Sequence, residues 1–192
     1  PKVQAEIKAK LDTGTVDVLI MICCSKAMLM SGVTESWAEL EIAEYALAQN
    51  PDTRIGLAMP WVDFPQNFSD SDAHRERTDA GYQAFQAFAE QLSADLGGAE
   101  VFTFYHGAAI YELRDMFEQG TLPEIESLTG PQATSIFTDK KGHAGLLAKD
   151  TGTLIWLNAI YGIDPLDVAK VDNYEVDIRQ VASNALESTV VA

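Results

Sequence analysis

An aspartate and a histidine stand four residues apart near the C-terminal end of the chain, in the segment Asp139-Lys140-Lys141-Gly142-His143. A carboxylate beside an imidazole fixes the tautomer of the ring and stabilises its protonated form, which makes the histidine a general base for a hydroxyl nucleophile. The same residues also suit an exposed loop whose side chains are solvated or cap the next helix. The segment therefore predicts an acid–base pair of Asp139 and His143, with a plain surface loop as the alternative.

Two candidate nucleophiles, Cys24 and Ser25, follow the apolar run at 16–22. In α/β folds the residues just past the end of a buried strand face the ligand. Either side chain would be a nucleophile if His143 came within hydrogen-bonding reach, and Ser25 is the better candidate. Both also suit a substrate contact, and Cys23 and Cys24 suit small buried apolar residues. No Gly-x-Ser-x-Gly elbow surrounds Ser25.

Aromatic and imidazole side chains follow the next two apolar runs. Trp61, with Val62 and Phe64, suits the wall of an acyl or sugar pocket, or equally a loop folded onto the core. His106 suits a substrate contact, or packing with one ring nitrogen bonded to the backbone. His74, in a run of charged residues at a helix start, is interpreted as solvated.

Metal and cofactor motifs do not occur in the sequence. The three histidines lack His-x-x-x-His spacing, and Asp70-Ser71-Asp72 lacks the glycine and the distal glutamate of a calcium loop. No glycine-rich phosphate loop occurs either. The sequence therefore predicts neither a metal nor a cofactor.

Apolar runs of strand length alternate with helical patterns along the chain, and no hairpin pattern separates them. Strands are predicted at 16–22, 54–59 and 101–105, and helices at 2–11, 36–50, 72–96, 108–117, 146–161 and 174–186. This alternation predicts an α/β fold, a three-layer α/β/α sandwich with a parallel sheet, in a single domain over 1–192. Three strands are few for such a fold, which favours a missing N-terminal strand-turn-helix segment.

The strand at 16–22 reads Val-Asp-Val-Leu-Ile-Met-Ile, a composition that suits burial on both faces. Apolar edges of sheets template aggregation, and proteins usually blunt them with charges or bulges. We therefore predict a neighbouring strand on both sides of it. One neighbour is expected from chain outside 1–192 or from a partner subunit.

The charge balance restricts the partners. Lys and Arg number 13 against 29 Asp and Glu, a net charge of −16, which repels nucleic acid and anionic membrane surfaces. No run of 18 apolar residues occurs, so no spanning helix is predicted. The sequence suits a soluble protein that acts on a small molecule. No basic-then-apolar leader stands at Pro1, and no compartment is indicated.

The order of elements and the late Asp/His block resemble the SGNH/GDSL hydrolase family. In that family an Asp-x-x-His block before the final helices supplies the acid and base of a Ser-His-Asp triad, and Asp139 and His143 match it with one extra residue between them. The family's nucleophilic serine lies in a Gly-Asp-Ser-like block, whose place would be upstream of Pro1. Where the family has Gly-x-Asn-Asp, this chain has Cys23-Cys24-Ser25-Lys26.

This resemblance implies hydrolysis of carbohydrate, lipid or small acyl esters by a serine nucleophile. The alternative is a non-catalytic α/β binding or interaction module that has lost the chemistry. A third reading, a flavodoxin-like cofactor binder, is opposed by the lack of a phosphate loop. Activity that falls as His143 becomes protonated would separate the first reading from the second.

Overall fold

The computed structural model describes residues 2–22 and 38–190 of the chain. It divides into two compact units, Pro1–Met59 with Gly81–Thr103 and Pro60–Ala80 with Phe104–Ala192. The prediction of a single domain over 1–192 stays a prediction.

Helices and strands alternate through the described ranges. The helices are α1 (Lys2–Leu11), α2 (Ala38–Gln49), α3 (Ser71–Asp95), α4 (Ala108–Glu118), α5 (Leu146–Tyr161) and α6 (Ile178–Val190). The strands are β1 (Val18–Ile22), β2 (Arg54–Ala58), β3 (Val101–Phe104), β4 (Ser127–Thr129) and β5 (Ser135–Phe137).

The first unit is built on a sheet with the strand order β1-β2-β3, in which β1 and β2 run parallel. The central strand β2 is the buried one, with Ile55 and Leu57 fully enclosed. Gly56 is required at its centre, because a Cβ there would lie 2.6 Å from the ring of Phe102. Helices α1 and α2 pack against each other, and α2 also packs on β1.

Strand β1 has one strand neighbour, β2, within residues 2–22 and 38–190. Its residues are half-buried, and the side chain of Ile22 is 59% exposed. The burial on both faces expected from the sequence is therefore not seen in the described residues, where β1 lies at the edge of the sheet. A neighbour from another chain segment or from a partner subunit stays a prediction.

The second unit holds the parallel pair β4 and β5, on which α4 and α5 pack, while α4, α5 and α6 pack pairwise. Strand β4 lies in a region that the sequence predicts to be loop, since three residues are too few to show an alternating pattern. The core of this unit is formed by aliphatic and aromatic side chains that include Ile110, Tyr111, Leu113, Ile136, Phe137, Leu147, Ile155 and Ala182.

The predicted fold class is confirmed. Parallel strands with helices packed on them form the α/β arrangement found in three-layer α/β/α proteins. Among the boundaries that differ from the predicted ones, the last helix begins at Ile178 and not at Tyr174. The reason is Asp177, whose carbonyl oxygen accepts from the amide of Val181 and whose side chain accepts from the amide of Arg179.

Candidate functional site

A tight loop at 138–143 brings the predicted acid and base together. The amide of Thr138 donates to the carbonyl oxygen of His143 at 2.7 Å, and the amide of Gly142 donates to that of Asp139 at 3.2 Å. These two bonds close the loop just after β5. This turn therefore brings the Asp139 carboxylate and the His143 ring into contact.

Asp139 and His143 form a short hydrogen bond, 2.5 Å between Oδ2 and Nδ1. The other carboxylate oxygen, Oδ1, accepts from the amides of Gly142 at 3.0 Å and His143 at 3.3 Å. The imidazole is 65% exposed, and no described residue bonds to its Nε2. The geometry leaves Nε2 open toward solvent while Nδ1 is held by the carboxylate, as a general base requires.

The His143 side chain and the two loop amides lower the pKa of Asp139 from an ordinary 3.8 to about 2. A lowered carboxyl pKa stabilises the fold above the ordinary pKa, and this contribution is lost as the pH falls from about 4 through about 2. In His143→Ala we expect the Asp139 carboxyl to titrate with its midpoint at a higher pH, because the hydrogen bond that lowers its pKa most is removed. Carbon-13 NMR titration of the Asp139 carboxyl measures this. An equal midpoint in both proteins would contradict the hydrogen bond.

Gly142 adopts a φ of +103°, a region that L side chains rarely occupy. A Cβ at this residue would also lie 3.0 Å from Cδ of Pro65 and 3.5 Å from Nε1 of Trp61. Glycine is therefore required both by the turn and by the close approach of residues 61–65.

The loop is fixed from outside by residues 61–68, here called the strap. The indole Nε1 of Trp61 donates to the carbonyl oxygen of Gly142 at 2.8 Å, and the amide of Phe64 donates to that of Lys141 at 2.9 Å. Phe64 itself has a left-handed φ of +61°, the one non-glycine residue with positive φ in the described ranges. Strained backbone of this kind persists where surrounding contacts fix it.

Comparison of Gly142→Ala with Gly120→Ala tests how closely the strap packs on the loop. Gly120 also has a positive φ, of +71°, but a Cβ there would contact nothing within 4 Å. We expect a loss of about 1 kcal/mol in the free energy of unfolding for Gly120→Ala and about 2 kcal/mol for Gly142→Ala. Urea denaturation measures both losses. Equal losses would mean that Pro65 yields to the added methyl group.

The strap is held by buried polar side chains of α3 and α4. Arg114, 2% exposed, donates to the carbonyl oxygens of Pro65 and Phe68, both at 3.0 Å, and its Nε donates to Glu118 at 2.7 Å. The hydroxyl of Tyr111 accepts from the amide of Val62 at 3.4 Å. These bonds satisfy backbone groups that would otherwise be stranded in an apolar setting.

His74 is a further buried side chain that holds the strap, and its interpretation as a solvated residue is wrong. It is fully buried, stacked on Phe68 with ring centroids 4.7 Å apart and edge-on to Tyr111 at 4.8 Å. Its Nε2 bonds to the carbonyl oxygen of Val62 at 2.8 Å, so Nε2 carries the proton of the neutral ring. Burial lowers the pKa of His74, and the nearby Arg114 charge acts in the same direction.

His106 lies inside an aromatic cluster and is 8% exposed. The rings of Trp61, Trp156 and Phe104 surround it at centroid distances of 5.8, 5.6 and 6.2 Å. Burial lowers its pKa to about 4, and no described residue bonds to its Nδ1. This burial is what the packing alternative for His106 requires, while its substrate contact stays a prediction.

The other predicted site residues divide into two groups. Cys24 and Ser25 lie outside the described residues. Trp61 is half-buried and contacts the acid–base loop through its indole N–H, so it belongs to the site, although its role toward substrate stays a prediction.

Arg114 and Gly142 have roles in the site that the sequence did not reveal. Arg114 stands four residues before Glu118, a spacing typical of an exposed helical ion pair, and nothing in the pattern marks it as buried. Gly142 belongs to the Asp/His segment, where a glycine is typical of a turn with positive φ.

No group of three or more His, Cys, Asp or Glu side chains is placed to hold a metal ion among residues 2–22 and 38–190. Within the same ranges, no helix combines the length and the apolar composition needed to span a bilayer.

No family model, curated protein or solved structure matches this chain.

Proposed function

We propose that the chain is an SGNH-like hydrolase of ester bonds in which His143 is the general base and Asp139 its orienting acid. The observation that carries the proposal is the 2.5 Å contact of Asp139 Oδ2 with His143 Nδ1, beside an Nε2 to which no described residue bonds. A paired Nδ1 and an open Nε2 are the two conditions for a histidine that removes a proton from a hydroxyl.

The reaction follows from these roles. A serine hydroxyl transfers its proton to His143 Nε2 while its oxygen attacks the ester carbonyl and forms a tetrahedral oxyanion. The imidazolium, stabilised by Asp139, then protonates the leaving alcohol as the C–O bond breaks. Water repeats the sequence on the acyl-enzyme and releases the acid. Ser25 is the candidate nucleophile in this chain.

A fluorophosphonate probe tests this assignment, because it phosphonylates an activated serine and spares ordinary ones. We expect labelling of a single serine, Ser25, found by peptide mass spectrometry, and a large loss of labelling in Asp139→Asn. Hydrolysis of p-nitrophenyl acetate is followed in parallel. The proposal would be overturned if the full chain showed no labelled serine and no ester turnover.

The second candidate is a non-catalytic binding module. The observation in its favour is that no described hydroxyl lies within hydrogen-bonding distance of His143 Nε2. The same labelling experiment decides between the two, since a module without an activated serine takes up no probe.

A further inference from the structure

We propose that Trp61 is a positioning residue for the Asp139–His143 pair and acts through the peptide groups on both sides of Gly142. Its catalytic consequence rests on the proposed function, whereas its effect on Asp139 does not.

Gly142 is the point at which Trp61 and the acid–base pair meet. Its carbonyl oxygen accepts from the Trp61 indole at 2.8 Å, while its amide donates to the Asp139 carboxylate at 3.0 Å. The next residue is His143. A shift of Gly142 would therefore change both the amide contact of Asp139 and the position of the His143 ring.

Trp61 is itself fixed at its backbone and at its ring. A Cβ on Gly107 would lie 2.5 Å from the Trp61 amide nitrogen, so the backbone of residues 60–61 lies directly on Gly107. The indole ring is edge-on to His106 and tilted against Phe137, with centroids 5.8 and 6.4 Å away. A donor that cannot move is what a positioning role requires.

The strap on either side of Trp61 adds to this rigidity. Val62 is held through its carbonyl oxygen by His74 and through its amide by Tyr111, and Arg114 holds the carbonyl oxygens of Pro65 and Phe68. Asp139 and His143 are by contrast 46% and 65% exposed. The exposed pair thus takes its position from buried groups.

The alternative role for Trp61 is the wall of a substrate pocket. Its N–H is already used by Gly142, so hydrogen bonding to a substrate would break the contact with the loop. A wall residue that touches substrate changes KM, whereas a positioning residue changes kcat and the Asp139 midpoint.

Trp61→Phe is the decisive variant, because it keeps an aromatic ring and removes the donor. We expect the Asp139 midpoint to rise above about 2. For p-nitrophenyl acetate, kcat should fall by roughly 10- to 100-fold with KM within about twofold. Trp156→Phe is the matched control, since Trp156 also packs on His106, at 5.6 Å, and donates no hydrogen bond to the loop. It should leave the Asp139 midpoint unchanged.

An unchanged Asp139 midpoint in folded Trp61→Phe would overturn the proposal, as would a change in KM alone. If that variant does not fold, replacement of the Trp61 indole by benzothiophene removes the N–H at nearly constant shape and gives the same reading. If the wild-type chain hydrolyses no ester, the proposed function fails, and the Asp139 midpoint still decides the positioning role.

Discussion

His143→Ala is expected to reduce hydrolysis of p-nitrophenyl acetate by about three orders of magnitude or more. Without the imidazole, the nucleophilic hydroxyl has no base at the position that Asp139 orients, and loss of such a group costs rates of this size. Because the His143 side chain is 65% exposed, its removal leaves the core intact. Steady-state kinetics and a thermal melt, measured on the same preparation, separate the two effects.

Lys140→Ala is the matched control for this variant. Lys140 lies on the same loop and is exposed, and its side chain makes no hydrogen bond or ion pair with Asp139 or His143. Its turnover should stay within about twofold of wild type. Asp139→Asn should lower turnover by about three orders of magnitude, because the imidazole then takes the wrong tautomer. Undiminished turnover in His143→Ala would remove His143 from the mechanism.

Arg114→Met is expected to lower the free energy of unfolding by about 3–5 kcal/mol. Arg114 is 2% exposed, and its removal leaves the carbonyl oxygens of Pro65 and Phe68 without a donor. Glu118, 31% exposed, keeps the amide of Ser71 and solvent as partners. A buried carbonyl oxygen left without a donor costs about 1–3 kcal/mol, and Arg114 donates to two of them. Urea denaturation followed by tryptophan fluorescence measures the loss through Trp61 and Trp156.

Arg179→Met provides the comparison of like with like. Arg179 also pairs with an acid, Asp177 at 2.7 Å, and donates to the carbonyl oxygens of Leu166 and Val168. Arg179 is 21% exposed and Asp177 is 34% exposed, so water solvates the carboxylate and the two carbonyl oxygens that lose their donor. Its loss of stability should be clearly smaller. Equal losses in the two variants would show that burial does not set the cost at Arg114.

Local patterns in the sequence predicted the helices, strands β1 to β3 and the acid–base pair, but not the three-residue strands β4 and β5. The apolar runs that became β1, β2 and β3 are continuous in the chain, and Asp139 lies within one loop of His143. Pairing over four residues needs no knowledge of the remaining fold. For the same reason, the alternation of apolar runs of strand length with helical patterns was sufficient to predict the α/β class.

The strap could not be predicted in this way. Its contacts join Trp61 to Gly142, 81 positions apart, and His74 is buried by aromatic rings that no local spacing brings to it. The charged neighbours of His74 predict an exposed side chain, and nothing in the spacing of Arg114 and Glu118 predicts the burial of Arg114. Burial of a polar group depends on partners that are distant in the chain, and these partners cannot be identified from a single sequence.

The separation between the strap and the loop also bears on the order of events in folding. Closing a contact over 81 positions carries a larger chain-entropy cost than closing the loop at 138–143, so the Asp–His turn can form before the strap reaches it. The amide of Phe64 donates to the carbonyl oxygen of Lys141 and is therefore a probe of the contact between the strap and the loop. Its hydrogen-exchange rate gives the free energy of opening for the site alone, separately from the unfolding of the second unit as a whole.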